Sequence, residues 1–276
     1  MKTINKIRRF AAALTIGVSA FATQFAEAAP VKNIVLVHGY FADGSGWQAV
    51  SKILARDGYK VSVVQEPETS FKEDVAATTR IVDAQDGSAI LVGHSYGGAV
   101  ITEAGNNSRV AGLVYIAAFE PDAGESLKDL TTKMPAATKA IKATDDGHLY
   151  FDAEHFRADF AADVPAAEAA FMASSQVMPA HESFTALVSQ PAWKTKPSWA
   201  VVATQDRTVN PDLERWMASR AKSTVVEVPS SHVAYLSHPA EVARVIERAA
   251  TAAGGHCSGR PLQRAAAEGI GPATGA

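Results

Sequence analysis

The stretch Ala89-Ile90-Leu91-Val92-Gly93-His94-Ser95-Tyr96-Gly97-Gly98 joins an apolar run to the opening of a helical pattern. Residues 89–92 are apolar throughout, as expected of a strand covered on both faces, and Tyr96 to Asn106 reads as the helix that follows. Glycines two positions before and after Ser95 complete the spacing G-x-S-x-G. Between a strand and a helix, that spacing marks a bend too tight for larger neighbours. The serine hydroxyl then stands at the carboxyl edge of a sheet, with a helix N-terminus behind it. A Gly-rich turn with an incidental serine is the bland alternative, and the strand-turn-helix setting weighs against it.

Outward from this bend, short β-branched runs alternate with helix-patterned stretches from Asn33 to Gly254, which is the signature of a parallel sheet with crossover helices. The expected strands are Ile34–Val37, Val61–Val64, Ala89–Val92, Leu113–Ile116, Trp199–Ala203 and Val225–Val228. Helices are expected at Trp47–Asp57, Phe71–Ala84, Tyr96–Asn106, Pro211–Arg220 and Pro239–Ala250, the second opened by the capping box Ser70-Phe71-Lys72-Glu73. About 80 residues separate Phe119 from Pro197, far more than a crossover needs. Residues 120–196 therefore read as a helical lid inserted after the strand that ends near Ala117.

A serine hydroxyl is a weak nucleophile until a base takes its proton, and that base needs an acid to orient it. His232, in Pro229-Ser230-Ser231-His232 after the last strand, falls at the same sheet edge as Ser95. His238 is its rival, though it precedes Pro239 and reads as a helix-entry residue. Asp206 follows the strand Trp199–Ala203, again at a carboxyl end; as a turn residue or cap it would be bland, and Asp212 is better explained as first-turn charge in a helix. Acyl transfer also needs donors for the developing oxyanion. The first strand ends in Val37-His38-Gly39-Tyr40-Phe41, and the backbone N–H groups of Tyr40 and Tyr96 are the expected pair. His38, Gly39, Phe41, Phe151 and Met178 are candidates for the substrate pocket, with His38 more simply a packed loop residue than a second base.

Composition sets the outer bounds. The chain has 276 residues, 47% hydrophobic and 20% charged, near the globular average, with a formal charge of −3 that offers nothing to nucleic acid. Lys2, Lys6, Arg8 and Arg9, the apolar run Phe10–Ala22 and Ala26-Glu27-Ala28 have the form of a secretory signal peptide over residues 1–28. Its removal leaves a formal charge of −6, and export would end in the periplasm or the medium. The apolar run is too short for a span of about 20 residues. A single cysteine, Cys257, excludes a disulfide framework, and no Cys cluster or phosphate loop calls for a metal or cofactor. The expected organisation is a hydrolase domain over 29–253 and a flexible tail over 254–276.

Val37-His38-Gly39, Gly93-His94-Ser95-Tyr96-Gly97-Gly98, Asp206 and Ser231-His232 together resemble the α/β-hydrolases from Val31 to about Thr251. The resemblance is to the small-lid group of plant salicylate-ester methylesterases, hydroxynitrile lyases and bacterial pyrethroid-type carboxylesterases. It implies the α/β-hydrolase fold and hydrolysis through an acyl-serine without a cofactor. With only Ala29–Lys32 before the first strand the sheet is expected to be mostly parallel, of about six strands, and Tyr40, Phe41, Tyr96 and the lid's Phe and Met residues suggest small to medium uncharged esters. The chain order Ser95, Asp206, His232 is the one such proteins use. Hydroxynitrile lyases of the group place threonine where Gly39 stands and lysine where Val233 stands, so both positions favour an esterase. Cofactor-free perhydrolase or haloperoxidase chemistry uses the same machinery. A non-catalytic ligand receptor would not need an activated serine.

Overall fold

The computed structural model describes residues 29–257; the expected signal peptide and residues 258–276 lie outside the described residues. Along the chain, β1 (Asn33–Val37), α1 (Gln48–Arg56), β2 (Lys60–Val63), α2 (Phe71–Asp83), β3 (Ala89–His94), α3 (Gly97–Ala104) and β4 (Val110–Ile116) lead into the lid. The lid carries α4 (Leu127–Lys133), β5 (Ile141–Ala143), β6 (Leu149–Phe151), α5 (Ala153–Asp159), α6 (Ala166–Ser175) and α7 (His181–Thr185). It returns to β7 (Ser198–Ala203), α8 (Pro211–Ala221), β8 (Thr224–Val228), α9 (Ala234–Ser237) and α10 (Pro239–Cys257).

Six strands form one sheet in the order β2-β1-β3-β4-β7-β8, with every neighbouring pair parallel. Strands β1, β3 and β7 are buried at every position, which is why they read as unbroken apolar runs, whereas the edge strands β2 and β8 keep exposed residues. Helices α1 and α10 pack on each other, as do α2 and α3, covering the sheet in two layers. The chain steps from β1 outward to β2 and then returns to β3 on the other side of β1. In an open parallel sheet the crevice for a ligand lies outside the carboxyl ends at such a reversal. Here those ends are the Gly39-Tyr40 loop after β1 and the Ser95 bend after β3.

Local signals explain the helix starts. Ser70 accepts the N–H of Glu73 at 3.2 Å, and Asn210 caps α8, whose first residue is Pro211. Two expectations are corrected. The lid is not wholly helical: β5 and β6 pair as an antiparallel hairpin turned by Gly147 at φ +86°. Helix α10 runs past Ala250 and includes Cys257, which the sequence assigned to a flexible tail. Its buried face there is made of Ala249, Ala250 and Ala253, small enough for residues 29–31 to lie against it. Val31 donates to Ala250 O at 2.9 Å, and a Cβ on Gly254 would sit 2.3 Å from Ala29 O. Burial by close approach needs few large side chains, so low apolar bulk is a poor guide to whether residues 254–257 are helical.

Candidate active site

Ser95 is held at φ +52°, in the left-handed region that costs a non-glycine residue about 1–2 kcal/mol. The surrounding backbone enforces it. Ser95 N–H donates to Ile116 O at 3.2 Å, and Ser95 O accepts from Gly98 N–H at 3.0 Å and Phe119 N–H at 3.1 Å. A Cβ on Gly93 would lie 2.4 Å from Gly97 O, and one on Gly97 would lie 2.4 Å from His38 O. Both spacing glycines are thus steric requirements of the bend.

The loops after β7 and β8 bring Asp206 and His232 together. Asp206 Oδ2 lies 2.6 Å from His232 Nδ1, with both side chains fully buried. The other oxygen, Oδ1, accepts from Thr208 N–H at 2.7 Å and Val209 N–H at 2.9 Å. Those bonds fix the carboxylate, which orients the ring and leaves Nε2 facing away from Asp206. Nε2 is buried with no hydrogen-bond partner, so no bond joins it to Ser95 Oγ here. Such bonds are often long before substrate arrives. The rival His238 sits at the entry to α10, its Nδ1 2.9 Å from Ser237 Oγ, and Asp212 lies in the first turn of α8.

The loop after β1 touches the bend. A Cβ on Gly39 would lie 2.7 Å from Ser95 Cβ and 3.2 Å from Tyr96 N, so only glycine lets the Tyr40 backbone come this close. The Tyr40 and Tyr96 rings stack at 4.1 Å. Tyr96 donates to Asp74 Oδ2 at 2.6 Å, and Tyr40 Oη lies 2.7 Å from Ser183 Oγ of the lid. Both expected oxyanion donors therefore sit on backbone pinned at its side-chain ends.

A cavity of about 430 Å³ opens on Ser95, walled by Phe41, Phe119, Leu127, Leu149, Phe184 and Val209, with Lys139 and His181 also on its lining. Phe41 is the one expected pocket residue on that lining. Phe151 is fully buried behind it, their rings 5.7 Å apart, and Met178 is half exposed on the lid. His38 and Gly39 lie beneath the bend. Periodicity cannot tell a lid's own core from the wall of its cavity, and Phe151 belongs to that core, whereas Met178 faces outward.

Behind the Tyr40 and Tyr96 rings lies a cluster that the sequence reading missed. His38, Glu66 and Glu68 bring one ligand-type atom each within 4.8 Å of one another, and all four glutamate oxygens are buried without a hydrogen-bond partner. His38 Nε2 accepts Glu66 N–H at 3.0 Å, which puts the ring proton on Nδ1, beside Gly39 O at 3.2 Å and Glu68 Oε1 at 3.5 Å. A cation bound through Nδ1 would have to displace that proton. Burial pushes Glu66 well above the carboxylate range and Glu68 up to about 7, so these groups hold protons readily. Charged residues after an edge strand give no sign in sequence of being buried.

Three more residues support the catalytic candidates: His94, inside the serine motif, and Glu214 and Asp163, which no motif marks. His94 Nε2 lies 3.0 Å from His232 O, and burial drives this imidazole well below its usual pKa, keeping it neutral. Glu214, on α8, accepts Ala203 N–H at 3.2 Å; burial first, and then the charge of Asp206, push it far above the carboxylate range. Asp163, on the lid, bonds Ser231.

Comparison with known proteins agrees with this architecture. A family model described as the alpha/beta hydrolase family matches residues 34–245. The pyrethroid hydrolase of Sphingobium wenxiniae is 26% identical over 253 residues, covering 78% of this chain and 86% of that protein. The carbendazim hydrolyzing esterase of Nocardioides sp. is 35% identical over 116 residues, which span 37% of this chain and 48% of that esterase, less than half its length. Among solved structures, a pyrethroid hydrolase from Sphingobium faniae JZ-2 superposes with a TM-score of 0.70 at 23% identity, covering 80% of this chain and 98% of that one. At that identity the likeness is one of fold.

Proposed function

The chain belongs to the alpha/beta hydrolase family, and on that premise we propose that it is an exported serine esterase that cleaves small to medium uncharged carboxylic esters through an acyl-Ser95 intermediate. The observation that carries this reading is the 2.6 Å bond from His232 Nδ1 to Asp206, which leaves Nε2 as the free, basic end of the ring.

In the first half-reaction Nε2 takes the proton of Ser95 Oγ as that oxygen attacks the ester carbonyl. Asp206 stabilises the imidazolium that forms, and the oxyanion is met by the backbone N–H groups of Tyr40 and Tyr96. The imidazolium then passes its proton to the departing alkoxide, the C–O bond breaks, and the alcohol leaves. Water repeats the sequence on the acyl-enzyme, with Nε2 again base and then acid, releasing the acid and restoring Ser95. The strained bend contributes position, since Oγ is already presented to the cavity. The apolar part of the cavity wall suits an uncharged substrate, and the relatives named as an esterase and as a hydrolase support hydrolytic chemistry. Export rests on the signal-like residues 1–28.

The test is turnover of p-nitrophenyl acetate and butyrate by the purified protein and by Ser95→Ala. Loss of several orders of magnitude in kcat is expected from removal of the nucleophile. Retention of most of the rate would defeat the proposal.

A further inference from the structure

The cavity at Ser95 has a neighbour. A second cavity, of about 300 Å³, lies between α6 of the lid and the segment around residues 42–49, and Phe41 lines both. Phe41 is 2% exposed and held at φ +63°, a conformation that a bulky side chain keeps only when its surroundings impose it. Its ring meets Tyr40, Phe151 and Phe160 edge-on at 5.9, 5.7 and 6.3 Å. Phe160 in turn lies 4.9 Å from the His232 ring. On the other side, the Tyr235 ring on the second cavity's lining lies 4.6 Å from His94, whose ring is 4.6 Å from His232. Along these contacts two rings stand between each cavity and the same imidazole, Phe41 and Phe160 on one path and Tyr235 and His94 on the other.

We propose that the cavity beyond Phe41 is a second compartment of the substrate site, shaped for a bulky aromatic group of the ester, and that the Phe41 ring is the partition between the two. This rests on the esterase reading and extends it to a substrate class. Phe171, Met172, Tyr235 and Leu236 give the compartment an apolar side against which an aromatic group can lie, and Asp43, Gln48 and Glu168 line the rest. With the ring in place the Ser95 cavity ends at Phe41, and small esters are favoured.

The experiment removes the ring without straining the backbone, since glycine adopts φ +63° freely. Two ester series are compared in wild type and Phe41→Gly: p-nitrophenyl esters from acetate to 2-naphthoate, and acetates from ethyl to 2-naphthylmethyl. The ratio of kcat/KM for the naphthyl ester over the smallest ester is expected to rise about tenfold or more in at least one series. In Phe41→Gly/Met172→Trp, which refills the far cavity, it should return to within about threefold of wild type. Unchanged ratios in both series overturn the proposal, and so does a gain that survives Met172→Trp. If wild type hydrolyses none of the esters, the esterase reading fails on its own, and the compartment is judged by calorimetric binding of methyl 2-naphthyl ketone. Binding about tenfold tighter in Phe41→Gly supports it and equal binding overturns it. Should Phe41→Gly not fold by circular dichroism, Phe41→Leu is scored by the same ratio, and an unchanged ratio there counts against the proposal.

Discussion

Asp163, between α5 and α6 of the lid, accepts hydrogen bonds from both the backbone N–H and the hydroxyl of Ser231, the residue before His232. The lid is thus tied to the loop that carries the base. Hydrogen bonds to a charged acceptor are worth about 1.5–3 kcal/mol each. Asp163→Ala is expected to lower kcat by about tenfold, with less effect on KM, because the loop loses its orientation rather than the cavity its walls. Steady-state kinetics on p-nitrophenyl butyrate checks this, and an unaltered kcat would show that Asp206 and His94 hold the loop without help.

Asp206 holds His232 by a single oxygen, its other oxygen being engaged by two backbone N–H groups. In Asp206→Asn the amide can present its NH2 to Nδ1, which favours the tautomer with the proton on Nε2. A fall in kcat of about 10³–10⁴ is expected, with KM nearly unchanged. A loss below tenfold would mean that the carboxylate does not set the tautomer.

The strain at Ser95 can be measured directly. Ser95→Ala keeps a Cβ at φ +52°, whereas Ser95→Gly releases it. Both variants lack the nucleophile, yet the glycine variant should be the more stable by about 1 kcal/mol, or roughly 2–4 °C in Tm. Calorimetry on the pair isolates the backbone contribution from the chemistry.

Glu68 gives stability a dependence on pH. Its folded-state pKa of about 7 lies above the ordinary 4.5, so the folded protein keeps a proton that the unfolded chain has lost between those values. Stability therefore falls as pH rises from about 4.5 to 7 and stays lower above that. Glu68→Gln removes the effect: it should gain up to roughly 3 kcal/mol over wild type at pH 8 and close to nothing at pH 4. Glu120, pushed to about 8 by burial, leaves a residual slope in both proteins. Urea midpoints across pH 4–9 measure it, and parallel curves would mean that Glu68 ionises as it does in water.

Much of this molecule was legible because its signals are local or periodic. The runs at 34–37, 89–92 and 199–203 are apolar without interruption since both faces of their strands are covered, and the sheet followed from that alone. The bend at Ser95 announced itself through glycines that steric contact demands. The lid resisted such reading. Its hairpin strands are three residues each, too short for a period, and Phe151 and Met178 look alike in sequence although one is wholly buried and the other half exposed.

From the order of residues alone came the parallel sheet and the strained serine, because each depends on what immediate neighbours permit, together with the expectation that Asp206 and His232 follow strands at the same sheet edge. Only the folded chain decided that the carboxyl oxygens of Glu66 and Glu68 are buried without a hydrogen bond, that Asp163 fastens the lid to Ser231, and that Phe41 lines two cavities. Those facts are meetings between segments tens of residues apart. Distance along a chain carries no record of them until packing brings the segments together.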